Sequence, residues 1–150
     1  MKKLIFAFIT LFISHLAMAA DGITGFWTTI DDETNEAKSI VQIYEYKGKY
    51  YGRVVELLKN KQATAKIPNN PKIEGLDIIW DLEPNKNKYK GGEILDPKTG
   101  KVYGCEIWRD KDNLIVRGKI AFLGRNQTWL PATNYQKTTD KLVPNKPILK

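Results

Sequence analysis

The chain alternates between short runs rich in β-branched and aromatic residues and breaks made of Gly, Pro, Asn and Asp. This texture predicts strands joined by turns. β-Branched and aromatic side chains suit a pleated, half-buried surface, and the breaking residues favour turn dihedrals. The runs are "ITGFWTTI", "AKSIVQIYEY", "KYYGRVVELL", "GLDIIWDL", "KYKGGEIL", "KVYGCEIW", "LIVRGKIAFL" and "RNQTWL". No long stretch carries an apolar stripe at helical spacing. Lys47-Gly48-Lys49 supplies a short hairpin connection between the second and third runs. "DDETNE" reads as an acidic turn, and "KNKQATAKIPNNPKI" as a long polar loop with room for one helical turn. Eight strands at this spacing predict an all-β antiparallel fold, closed into a barrel or stacked as a sandwich. Closure removes unpaired strand edges. An eight-stranded barrel is about the size that either fills itself with side chains or holds one small ligand.

The stretch "GGEILDPKTGKVYGCEI" invites a phosphate-binding reading, which fails on its spacing. A Walker loop needs a glycine five residues before the Gly-Lys pair and Ser or Thr after it; Leu95 and Val102 stand there. A hairpin fits better. Asp96 accepts from the turn backbone, Pro97 sets φ, and Gly100 takes a left-handed conformation. Beyond it Tyr103, Cys105 and Ile107 share one strand face, and Leu114, Val116, Gly118 and Ile120 form a core-facing set.

The first 19 residues have two lysines, an apolar run from Leu4 to Ile13, and small residues at Ala17 and Ala19. That is the layout of a secretory signal peptide, too short for a membrane span. The expectation is therefore an exported protein, periplasmic or extracellular, with a mature domain over 20–131. A basic, flexible tail is expected over 132–150. His15, the only histidine, falls in the leader. The mature chain then has no imidazole for a triad or a common zinc site, and neither a metal nor a cofactor is expected. Cys105 is the single cysteine, so no intramolecular disulfide can form, and a buried thiol is expected. The net charge of +7 is spread between Lys2, Lys3, the tail lysines and an interspersed body. No basic stripe is readable, which argues against nucleic-acid binding.

Two constellations stand out. Trp27, with Gly25 two residues earlier on the same face, is expected to pack with Arg125 and Trp129 and close one end of the barrel. Tyr44, Tyr51, Tyr103 and Trp80 are the candidate walls of a pocket, offering aromatic faces and hydroxyls to a small amphipathic or apolar molecule. No residue is assigned a catalytic role. Glu56, Glu93 and Glu106 lie in strand-like runs and become candidate acids if they face inward. Three readings follow. The leading one is a non-enzymatic barrel that binds a small, partly apolar ligand. The others are an envelope module contacting a protein or an anionic polymer, and an enzyme with a carboxylate or tyrosine centre.

"GFWTTIDD", "GLDII", "GGEILDPKTGKVYGCEI", "LIVRGKI" and "GRNQTW", in that order, resemble a bacterial family of small exported proteins known as domain of unknown function 2147. The resemblance runs from about Gly22 to Pro131. It implies a lipocalin-type, calycin-like barrel. Under it Gly25-x-Trp27 corresponds to the lipocalin Gly-x-Trp signature, and Arg125 to the late-strand arginine that packs over that Trp. The family pattern carries further cysteines after the third strand; "KNKQATAKIPNNP" has none. The resemblance implies a fold more than an activity.

Overall fold

The computed structural model describes residues 22–136 and 142–150. The expected signal peptide over 1–19 lies outside these residues, as does part of the expected tail. Among the described residues eight strands run in chain order: β1 Gly25–Ile30, β2 Ala37–Tyr46, β3 Lys49–Leu57, β4 Asp77–Asn85, β5 Lys88–Asp96, β6 Lys101–Asp110, β7 Asn113–Ile120 and β8 Leu123–Pro131. Each pairs antiparallel with the next, and β8 returns to β1 through Trp27 opposite Pro131, so the sheet is a closed barrel. The sandwich alternative is thereby excluded. Among the described residues no helix is long and apolar enough to cross a membrane.

Residues opposite one another in an antiparallel ladder share a face, which makes the register a map of the lumen. Trp27 faces Val41, Val41 faces Val54, and Ile43 faces Gly52. Gly52 in turn faces Ile79, and Ile79 faces Ile94. Ile107, Val116 and Gln127 continue the same inner face around to β8. One end of the lumen is filled. A Cβ on Gly52 would stand 3.1 Å from both Ile43 and Ile79, and Tyr50 and Tyr89 meet edge to face at 4.7 Å. This end is the floor. The other end is the mouth, ringed by the 31–36, 58–76, 97–100 and 121–122 connections.

Two local expectations are corrected. The 58–76 loop contains no helical turn. It is held instead by a bridge between Thr64 and Lys72, and it tucks Ala65 and Ile67 inward against the β5–β6 turn. The run "LIVRGKIAFL" does not stay extended. The chain reverses at Ala121 and Phe122, between Ile120 and Leu123, with Ala121 at φ 53°. The β5–β6 turn has the form expected from its residues. Asp96 accepts from the Lys98 amide and the Thr99 hydroxyl. Gly100, at φ 78°, leaves no space for a Cβ beside the Lys66 carbonyl.

Candidate functional site

The floor is closed by the N-terminal segment and by an arginine other than the one expected. Trp27 is 3 % exposed, and its indole N–H donates to the Ile23 carbonyl at 2.9 Å. The guanidinium over its ring, 5.0 Å from the centroid, belongs to Arg109. Arg109 also donates to the carbonyls of Gly22 and Lys111. Arg125 cannot take this part, because register places it next to the β7–β8 turn, at the opposite end of the barrel. It is 74 % exposed and pairs with Asp32 at 3.0 Å. Trp129 faces Leu114 inside the lumen, two residues before Pro131, the partner of Trp27, so it stays near the floor but also lines the space above it. Gly25 is required by its backbone rather than by packing. Its φ is 132°, and a Cβ there would meet nothing within 4 Å.

Above the floor the mouth opens into a cavity of about 270 Å³. Its walls are Val54, Leu57, Ile78, Ile94, Val116 and Trp129, with Tyr103 and Gly118 on the β6 and β7 side. Polar groups enter at two depths. Within the wall, the Thr29 and Ser39 hydroxyls hydrogen-bond each other at 2.7 Å, both buried. A chain of donors leads up to the rim: the Trp129 indole donates to the Gln127 side-chain oxygen Oε1, and the Gln127 Nε2 donates to Asp32. Asp32 also holds Arg125, and Lys38 and Asp96 complete the rim. Gly118 lines the cavity without a side chain. A Cβ there would stand at ordinary contact distance, 3.6 Å from Tyr103 and 3.8 Å from Ile94, on the cavity wall.

Of the four expected wall residues only Tyr103 lines this cavity. Tyr44, Tyr51 and Trp80 are buried on the outer face of the barrel. Tyr44 and Tyr51 face each other across β2 and β3, one residue out of phase with the inward pair Ile43 and Gly52. Trp80 faces Glu93, out of phase with the inward Ile79 and Ile94, and donates to its carboxylate at 3.4 Å.

The chain returns to this outer face and binds the polar neighbours of the tyrosines. The Val143 carbonyl accepts from Arg53 at 2.6 Å, and the Asn145 amide donates to Asp77 at 2.6 Å. Lys146 reaches Asp81 at 2.7 Å. Over these residues the tail is therefore a strap rather than the flexible end its composition suggests. Beneath it Asp77 is 0 % exposed. It accepts from Arg53 at 2.9 Å and from the Tyr44 hydroxyl at 2.8 Å. Burial, and then the Asp77 carboxylate, push the Tyr44 hydroxyl far above the usual tyrosine range, which keeps it a donor. Burial works against the Asp81 carboxylate, but hydrogen bonds from Lys146 and Tyr51 outweigh it and hold its pKa below the usual value.

The three candidate acids do not reach the lumen. Glu56 faces Ile40 and pairs with Lys61; Glu93 faces Trp80. Glu106 faces Arg117 across β6 and β7 and is held below the ordinary carboxylate range by the hydrogen bond from Lys119. Cys105 is inward and buried, and burial raises its thiol well above the usual range, as suits an inert core residue.

Comparison with solved structures finds a similar fold in one titled "Protein HP1028 from the human pathogen Helicobacter pylori belongs to the lipocalin family". The two chains are 22 % identical with a TM-score of 0.64, over 75 % of this chain and 84 % of that one. At this identity the likeness concerns the fold. No curated protein matches the chain. Residues 25–130 match a family model described as uncharacterized protein conserved in bacteria (DUF2147). The chain therefore belongs to that family, and it builds the family's sequence pattern as a lipocalin-like barrel with a filled floor and an open mouth.

Proposed function

We propose that this protein is an exported, non-enzymatic barrel that takes one small, partly apolar molecule into the mouth cavity. The observation that carries the reading is the shape of the lumen, closed and packed below and open above, with an apolar wall and a polar rim. An apolar cavity of about 150 Å³ accommodates benzene. A volume of about 270 Å³ therefore suits a molecule with on the order of ten non-hydrogen atoms. Its apolar end would rest against Val54, Val116 and Trp129. A hydroxyl or carboxylate would meet the Thr29 and Ser39 hydroxyls, or Arg125 and Lys38 at the rim. The inward alignment of aliphatic and aromatic side chains, with no Glu among them, supports binding over carboxylate chemistry.

Decanoate is a suitable probe, because it combines an apolar chain with one anionic group. In a calorimetric titration the wild type is expected to bind it one to one. Gly118→Leu is expected to weaken that binding at least about tenfold while leaving the thermal transition in place, since the new side chain grows into the void rather than into packed neighbours. Equal affinity in the two proteins would exclude the mouth cavity as the site. Export rests on the pattern of residues 1–19. It requires that the chain recovered from the cell envelope or the medium begin near Ala20; a chain recovered from cytosol with Met1 intact would refute it.

A further inference from the structure

We propose that the tip of the β7–β8 hairpin is a membrane-contacting element that sets the cavity mouth against a lipid bilayer. The tip is apolar and in solvent: Ile120 is 61 %, Phe122 88 % and Leu123 68 % exposed. Its turn is also written against ordinary turn chemistry. Ala121 takes φ 53° with no Gly, Asn, Asp or Pro in the reversal. Local rules broken without a packing gain mark a functional position, and here the result is an aromatic side chain projected past the end of the sheet.

The shape of the tip decides the occupant. A stable protein interface buries about 800 Å² on each partner, far more than three side chains at one hairpin tip supply. A bilayer needs no complementary surface, only apolar side chains able to enter its interface and cations to meet its headgroups. The hairpin has both. From Arg117 to Arg125 it carries three cations and no carboxylate. Lys119 pairs with Glu106 and Arg125 with Asp32. Arg117 lies folded across Gly124, and its Nε is buried without a hydrogen-bond partner among the described residues. Gly118 and Arg125 face each other in the cavity wall just behind the tip, so a tip seated in lipid brings the mouth to the membrane surface. The inference stands on the tip alone and does not require the cavity to be filled.

The test is co-sedimentation with vesicles of about three parts phosphatidylethanolamine to one part phosphatidylglycerol. Wild-type protein is expected to partition onto them. Phe122→Ser combined with Leu123→Ser is expected to lose at least about tenfold in partitioning, with unchanged circular dichroism and unchanged decanoate affinity. In Phe122→Trp, vesicles are expected to shift the new emission to shorter wavelength, and brominated acyl chains to quench it. Equal partitioning of wild type and the double variant would overturn the proposal. So would no partitioning by the wild type, or a Phe122→Trp emission that stays at the solvent wavelength. A protein that holds vesicles through the tip yet takes no decanoate would support the tip and remove the ligand reading.

Discussion

Asp77→Ala is expected to cost about 3 to 5 kcal/mol of folding stability, the range for removing one member of a buried ion pair. Asp77 is fully buried and gathers four donors from three parts of the chain: Arg53 Nε and Nη2, the Tyr44 hydroxyl and the Asn145 amide. Alanine leaves all of them without that acceptor, with only the Val143 carbonyl and the Tyr44 hydroxyl left to Arg53 among the described residues. The Arg53 side chain is only 15 % exposed, so its charge would remain largely desolvated. Removing both charges should hurt less than removing one. Arg53→Leu with Asp77→Leu is expected to be closer to wild type than Asp77→Ala alone. Urea unfolding measures all three proteins. A loss below about 1 kcal/mol for Asp77→Ala would mean that the strap and its cluster do not hold the barrel together.

Trp27→Ala should cost a similar amount, about 3 to 5 kcal/mol, through lost burial and the cavity left behind. The indole fills the floor, fixes Ile23 through its N–H, and gives Arg109 a face to stack on. The neighbouring arginines separate this floor from the one the lipocalin resemblance implies. Arg109→Ala removes a cation–π contact worth about 0.5 to 2 kcal/mol. Arg125→Ala removes an exposed surface pair and should stay within about 0.5 kcal/mol. Thermal and urea midpoints of the three variants check the order Trp27, then Arg109, then Arg125. If Arg125→Ala proved more damaging than Arg109→Ala, the floor would have been assigned to the wrong residue.

The barrel itself was legible in the sequence, because each run alternates and nearly every break carries its own turn residues. The inner and outer faces of β2 to β4 were harder to distinguish. Val41 and Ile43 look inward, while Tyr44, Tyr51 and Trp80 are just as buried on the other side. Once the strap covers the outer wall, both faces of these strands become apolar, and a period of two no longer says which one is the lumen. Nothing local announces the strap, since Arg53 and Val143 are joined only by the fold. Arg109 could have been found: it continues the face of Tyr103, Cys105 and Ile107, but the charged run "RDKDN" made it look like part of a turn. The β7–β8 reversal escaped for the opposite reason, because "IAFL" has no turn residue to betray it. Gly118 was placed on the correct face. The space it leaves is a property of its neighbours Tyr103 and Ile94, which no single run displays.

Ligand entry at the mouth, with the outer wall reserved for the strap, makes distinct demands on individual groups. The Trp129 indole donates to Gln127 in the cavity wall, whereas the Trp80 indole donates to Glu93 on the outer face. Titrating ¹⁵N-labelled protein with decanoate and following the two indole N–H signals distinguishes the two surfaces directly. Trp129 should shift, together with the Gly118 and Tyr103 amides, while Trp80 and Tyr44 stay in place. Movement confined to Trp80 and Tyr44, or a Trp129 signal unmoved at saturating decanoate, would contradict a binding site in the mouth of the barrel.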